Sequence, residues 1–183
     1  MAGQMTRLIL LDRDGVINFD SPNYIRCADE WQPIPGALEA MAELHTAGFQ
    51  LGLCSNQAGI ARGMFTNADL SAIEAKMLAI LSKLGGAVDF ITYCRHHPEA
   101  GCACRKPKPG MLIQAMAALA IDPSETCFVG DSLKDVQAAL AANVTPALVR
   151  TGNGRSDEAA ARALAPLAVY DDLPGFAKGL LRS

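Results

Sequence analysis

The sequence predicts an α/β fold, a parallel β-sheet with helices on both faces, and three observations predict it. Short continuous apolar runs, the mark of strands buried on both sides, alternate along the chain with segments of helical periodicity. The 183 residues are 50% hydrophobic, enough for one full core and too few for two ordinary domains, so a single domain over 1–183 is expected. The composition is also rich in Ala and Leu, which favours helices packed on something.

The elements follow in chain order. Leu8–Leu11 is the first apolar run, closed at once by Asp12 and Asp14. Gly36–Ala47 places Leu38, Met41 and Leu44 at helical spacing, with Gly48 where a helix C-terminal glycine belongs. Phe49–Cys54 is the second strand. Asn67–Leu84 carries an apolar stripe through Leu70, Ile73, Met77, Leu78 and Leu81 and is stopped by Gly85-Gly86. Phe90–Tyr93 is a further strand candidate. A helix over Gly110–Ala120, a strand over Thr126–Val129, a helix over Asp135–Ala142 and a strand over Ala147–Val149 complete the alternation. The tail after Gly152 is polar, then helical, with a last short helix near Gly175–Leu181. The Asn18–Pro35 connection, which holds Asp20, Pro22, Tyr24 and Trp31, is long enough to be read as functional or mobile. In such sheets ligands gather outside the carboxyl ends of the strands.

Composition excludes several function classes. Sixteen Lys+Arg against nineteen Asp+Glu give a formal charge of −3, so there is no general basic field for nucleic acid, and the single Trp offers little for stacked bases. No apolar stretch approaches the roughly 20 residues a bilayer-spanning helix needs. The six cysteines do not resemble the disulfide framework of a small secreted domain, which points to a reducing, cytoplasmic setting.

Chemistry gathers at the predicted strand ends. Asp12-Arg13-Asp14-Gly15-Val16 sets two carboxylates beyond the first strand, where a nearby cation must offset them. Ser55-Asn56-Gln57-Ala58-Gly59 follows the second strand and can present a hydroxyl and successive backbone N–H groups to an oxyanion. Arg105-Lys106-Pro107-Lys108 sets three cations on a proline-stiffened loop, and Gly130-Asp131-Ser132 ends a third apolar run with another acid. Read singly, these are a solvated turn, a helix cap and a basic loop. Together, Asp12, Asp14 and Asp131 make an oxygen-rich site suited to Mg2+, and Ser55 and Lys106 can neutralise the oxygens of a transferring phosphoryl group. Cys94-Arg95-His96 and Cys102-Ala103-Cys104 bring four soft ligands within eleven positions, the pattern of a closed structural Zn2+ site in a loop over 94–104. His97 is the spare histidine, and Cys27, Cys54 and Cys127 are expected as buried or partly buried thiols.

Through Asp12-Arg13-Asp14-Gly15-Val16, Ser55-Asn56-Gln57, Lys106 and Gly130-Asp131, in this order across about residues 7–150, the chain resembles the haloacid dehalogenase superfamily of phosphatases. Its zinc loop and the runs Ser55–Gly63 and Arg105–Met111 resemble the zinc-containing branch of heptose 1,7-bisphosphate and histidinol-phosphate phosphatases. The resemblance implies a three-layer Rossmann-like sheet without a large cap domain, in agreement with the length. It implies an aspartyl-phosphate mechanism with Asp12 as nucleophile and Asp14 as acid and then base. Mg2+ would be held by the Asp12 and Asp131 side chains and the Asp14 carbonyl, and Asp135 would orient Lys106 or the metal's waters.

The substrate it implies is a small phosphorylated sugar, selected by the Asn18–Trp31 loop, the zinc loop and Arg105. Arg13, Asp20, Tyr24, Ser55, Asn56, Gln57, Arg105, Lys106 and Ser132 are the expected contacts. The first expectation is hydrolysis of the C7 phosphate of a heptose bisphosphate by a cytoplasmic monomer, on the route to the nucleotide-activated heptose of lipopolysaccharide. Histidinol phosphate or another small sugar phosphate is the enzymatic alternative, and a zinc-stapled binding module the non-enzymatic one.

Overall fold

The structure, a computed structural model, describes residues 6–182; Met1–Met5 and Ser183, the ends of the expected 1–183 domain, lie outside the described residues. Leu8–Leu11 forms the central strand β1, with all four side chains buried. Alternation decides where each goes. Ile9 and Leu11 join Met41, Leu44, Ile73, Met77, Leu173 and Phe176 in one core, whereas Leu8 and Leu10 join Met111, Leu112, Ala138 and Ala139 in another. Full burial of a Leu-sized side chain contributes about 1.5–3 kcal/mol, so β1 is firmly anchored where its chain runs out into Asp12.

The chain alternates β1, α1 (Ala37–Thr46), β2 (Gln50–Asn56), α2 (Asn67–Lys83), β3 (Phe90–Cys94), α3 (Gly110–Leu119), β4 (Thr126–Gly130), α4 (Leu133–Ala141), β5 (Thr145–Val149), α5 (Gly154–Leu164), β6 (Ala168–Tyr170) and α6 (Leu173–Leu180). The strands form one parallel sheet in the order β3-β2-β1-β4-β5-β6. Helices α1, α2 and α6 pack on one face and α3 and α4 on the other, the expected three layers. Among the described residues no inserted cap domain interrupts the alternation.

The strand order reverses between β1 and β4, and there the loops leaving the two strands diverge and open a crevice. Leu11 is in register with Leu53 of β2 and Val129 of β4, and the Asp12 N–H donates to the Val129 carbonyl at 3.0 Å. Register therefore delivers Asp12, Ser55 and Asp131 to the same end of the sheet.

Two expectations change. The tail contains a sixth strand, β6, which pairs Ala168–Tyr170 with Ala147–Val149 of β5. Its three residues are too few to show a strand pattern. The Asn18–Pro35 connection is anchored: Ile25, Trp31 and Ile34 are buried in the core, and Lys76 Nζ donates to the carbonyls of Ala28 at 2.7 Å and Trp31 at 3.0 Å. Trp31, fully buried, cannot belong to a substrate-selecting surface.

Candidate active site

The site is built on strand ends. Lys106 enters from the loop before α3, its ammonium 2.9 Å from Asp12 Oδ2 and 2.7 Å from Asp135 Oδ1, and is 2% exposed. Asn56 fixes this loop from β2, its amide donating to the Lys106 carbonyl at 3.2 Å and accepting from the Lys106 N–H at 3.1 Å. Asp12 Oδ1 takes the Arg13 N–H at 2.7 Å. Asp135, in the first turn of α4, accepts from the N–H groups of Asp131 and Ser132 and from the Ser132 hydroxyl at 2.7 Å.

Asp131 leaves the end of β4 and its Oδ2 accepts two hydrogen bonds from Asn153, at 2.8 Å from the backbone and 3.1 Å from the side chain. Gly15 and Gly152, both at positive φ, close over it, and a Cβ at either position would overlap Asp131 Oδ2.

Charge does not balance in this cluster. One carboxylate oxygen from each of Asp12, Asp131 and Asp135 lies within 4.8 Å of the others, and Lys106 is the only cation bonded to them among the described residues. Three carboxylates against one ammonium leave two negative charges. Burial pushes Asp12 up to about 7 despite Lys106, with Asp135 and Asp14 adding to the rise. Burial, and then the neighbouring Asp12 and Asp135, push Asp131 up to about 8. Lys106 loses solvation in the same way, yet Asp12 and Asp135 carry it above the ordinary lysine range. An all-oxygen donor set with an excess of two negative charges fits a hard divalent cation.

Asp14 faces a different set of partners. Arg13 Nε and Nη2 donate to it at 3.0 and 3.1 Å, Asn18 Nδ2 at 2.9 Å and Gln57 Nε2 at 2.8 Å. The second hydrogen of the Gln57 amide goes to Ser55 Oγ, 3.0 Å away.

Asp12, Asp14, Asp20, Ser55, Asn56, Arg105, Lys106, Asp131 and Ser132 line one open cavity of about 520 Å3. The other expected contacts do not. Arg13 is 1% exposed, with its guanidinium folded under Asp14, and Gln57 is 3% exposed behind Ser55 and Asp14, so both side chains support the cavity wall from within. The Gln57 N–H is taken by the Cys94 carbonyl at 2.7 Å, which removes it from the run of N–H groups expected to face an oxyanion. Tyr24 packs against Phe65 instead, ring centroids 6.4 Å apart. Sequence reasoning missed Asn153 and Lys134, which also line the cavity. Thr151-Gly152-Asn153 follows β5, so the strand-end rule could have found Asn153.

The second cluster lies in the loop after β3. Cys94 Sγ is 3.7 Å from His96 Nδ1 and 3.6 Å from Cys102 Sγ, and Cys104 Sγ is 3.2 Å from His96 Nδ1 and 3.5 Å from Cys102 Sγ. Ligands at about 2.0–2.3 Å from a tetrahedral Zn2+ are separated by roughly 3.3–3.8 Å, whereas a disulfide needs about 2.05 Å. All six cysteines are free thiols. Burial opposes ionisation of Cys102, yet the Arg105 N–H and the Cys104 and Cys94 thiols pull it down to about 7, while burial and the Cys94 and Cys102 thiols push Cys104 up to about 12. A cation within the cluster would let both ionise, so the donor set fits zinc. His97 is exposed, and of the other thiols Cys54 and Cys127 are buried and Cys27 partly so.

A parallel sheet with acids, a hydroxyl and a buried lysine at its switch point defines the class, a phosphoryl-transfer hydrolase of haloacid dehalogenase type. A family model described as HAD-hydrolase-like matches residues 103–176. A D-glycero-beta-D-manno-heptose-1,7-bisphosphate 7-phosphatase of Pseudomonas aeruginosa is 46% identical over 180 residues, spanning 96% of this chain and 98% of that protein. The protein of the same description from Escherichia coli K12 is 44% identical over 91% of each chain. Among solved structures, the D,D-heptose 1,7-bisphosphate phosphatase from B. bronchiseptica complexed with magnesium and phosphate superposes with a TM-score of 0.90 at 44% identity, covering 97% of this chain and 99% of that one. The chain belongs to the heptose 1,7-bisphosphate phosphatase family of the haloacid dehalogenase superfamily.

Proposed function

We propose that the protein is a Mg2+-dependent phosphatase that removes the C7 phosphate of D-glycero-D-manno-heptose 1,7-bisphosphate through an aspartyl-phosphate intermediate. The observation that carries this reading is the Asp12–Lys106–Asp131 cluster opening into the cavity, in a chain that shares nearly its whole length with proteins of that activity.

Asp12 is the nucleophile. Its Oδ1 is held by the Arg13 N–H and its Oδ2 by Lys106, so one carboxylate oxygen is presented to phosphorus along a fixed direction. A bond forms from Asp12 to phosphorus as the bond to the sugar oxygen breaks, and Asp14 gives its proton to that leaving oxygen. Asp14 then takes a proton from the water that hydrolyses the acyl phosphate and returns Asp12 to its free form. Lys106 and the Ser55 hydroxyl meet the phosphoryl oxygens. Mg2+ would be held by the Asp12 and Asp131 side chains and the Asp14 carbonyl, and would supply charge neutralisation for the phosphoryl group. Asp135, 2.7 Å from Lys106 Nζ, orients that lysine or the metal's waters in this reading.

Arg105 has a buried guanidinium nitrogen without a protein partner and lines the cavity, which suits an anionic or hydroxylated substrate. Asp20, Asn56 and Ser132 line it as well and remain sugar contacts in this reading; Tyr24, packed on Phe65, does not. Cys94, His96, Cys102 and Cys104 would hold Zn2+, which would fix the loop that leads into Arg105 and Lys106. We place the enzyme in the cytoplasm as a monomer, with a small sugar phosphate rather than nucleic acid as its partner; no helix among the described residues is long and apolar enough to cross a membrane. The test is kcat/KM for phosphate release from both anomers of the heptose bisphosphate and from histidinol phosphate. A preference for the heptose bisphosphate is expected, and a preference for histidinol phosphate would reject the assignment.

A further inference from the structure

Gln57 makes no contact with the cavity, being 3% exposed and absent from its lining, yet one side-chain amide touches two residues of the proposed reaction. Its Nε2 lies 2.8 Å from Asp14 Oδ2 and 3.0 Å from Ser55 Oγ. Asp14 Oδ2 accepts from the amide nitrogen, and the two hydrogens of that nitrogen are shared between the two partners. Ser55 Oγ, by accepting one of them, keeps its own hydroxyl proton free to donate elsewhere. The backbone of Gln57 is itself seated by its N–H on the Cys94 carbonyl at 2.7 Å, so the side chain starts from a fixed point.

We propose that Gln57 is a positioning residue that sets the direction of the Asp14 carboxyl and the donor polarity of the Ser55 hydroxyl through the two hydrogens of a single amide. The inference rests on the phosphatase reading and deepens it. Arg13 and Asn18 also hold Asp14, but neither is bonded to Ser55, so Gln57 alone among these donors ties the proton-transfer group to the phosphoryl-binding group. If Gln57 aims the acid, its loss must weigh most on esters whose leaving oxygen needs a proton. Esters with good leaving groups depart without one and lose only the share due to Ser55.

The test is a series of phosphate monoesters with Mg2+, from nitrophenyl phosphate through phenyl phosphate to an alkyl phosphate, assayed with wild type, Gln57→Leu and Gln57→Glu. Gln57→Leu removes both donor hydrogens, Gln57→Glu keeps the shape and leaves at most one, and melting curves and zinc content establish that each variant is folded. The expected result is a fall in kcat/KM of about tenfold or more on the alkyl ester, part of the full worth of a general acid, and a fall of only a few-fold on nitrophenyl phosphate. In an Asp14→Asn background the added Gln57 substitution should leave the leaving-group dependence unchanged. Equal losses across the series in a folded variant, or no loss in either variant, would overturn the proposal. Failure of wild type to release phosphate from every ester would overturn the phosphatase reading itself, a separate and distinguishable outcome.

Discussion

The carboxylate cluster at the ends of β1 and β4 and the thiol–imidazole cluster in the loop after β3 are both sized for a metal ion, and they are built in opposite ways. In the first, Asp131 and Asp135 are at most 2% exposed and Asp12 9%; strand register pins the backbone before Asp12 and Asp131, and Asp135 sits in the first turn of α4. In the second, only Cys94 is buried; His96 is exposed, Cys102 and Cys104 are partly so, and the loop between them has a single short turn, Pro98–Ala100. The oxygen site keeps its geometry through the sheet and lacks balancing charge, whereas the sulfur site has the ligands and lacks a scaffold. A cation at the first would complete the charge for chemistry, and a cation at the second would supply the structure.

The sharpest way to break this contrast is at Lys106. Lys106→Met leaves Asp12 and Asp135 buried without their cation, which should cost about 3–5 kcal/mol of stability in the metal-free protein. It should also lower phosphate release by at least about a thousandfold, as loss of preorganised charge does. Chemical denaturation and single-substrate kinetics on the same variant measure both.

Next in size is the thiol cluster. Cys102→Ser, or extraction of zinc with a strong chelator, should lower the melting temperature by roughly 5 °C or more, while activity falls less than in Lys106→Met, because only the approach to Arg105 and Lys106 loosens. Metal analysis gives the zinc content, and an unchanged melting curve after complete zinc loss would contradict the structural role.

The oxygen site is predicted to respond to pH in a defined sense. Asp12 and Asp131 have folded-state values raised to about 7 and about 8, above those of unfolded carboxylates. Their protonated forms therefore favour the metal-free fold, and that contribution is lost as pH rises from about 4 through about 8. Mg2+ must displace those protons, so the rise in melting temperature that it causes should be larger at about pH 8.5 than at about pH 6. Equal shifts at both would remove Asp12 and Asp131 as ligands.

The smallest effect is expected at Ser132, whose hydroxyl bonds Asp135 at the start of α4. Ser132→Ala should cost about 1 kcal/mol and leave kcat within a few-fold.

The same contrast explains what could be read from the sequence. Strand-end acids follow buried apolar runs, so Asp12 and Asp131 were legible with the sheet that positions them, and four cysteine and histidine ligands within eleven residues declare themselves by spacing alone. Direction of side chains was not legible. Arg13 and Gln57 sit inside motifs rich in chemistry and read as substrate contacts, yet both turn inward to hold Asp14. Trp31 lies in a segment that reads as a loop and fills the core, because nothing local announces that Lys76 will cap its backbone from another helix. Asn153 lies four residues past β5, within reach of the strand-end rule but without a carboxylate or lysine beside it to draw attention, and three-residue β6 is too short for periodicity to reveal.

Every step of the proposed reaction depends on Asp12 taking up the phosphoryl group. That role is tested most directly by Asp12→Asn assayed with the heptose 1,7-bisphosphate and Mg2+, alongside its melting curve and zinc content. Phosphate release should fall by about four orders of magnitude or more in a protein that stays folded and keeps its zinc. Release at a rate near that of the wild type, from the same folded protein, would contradict that role.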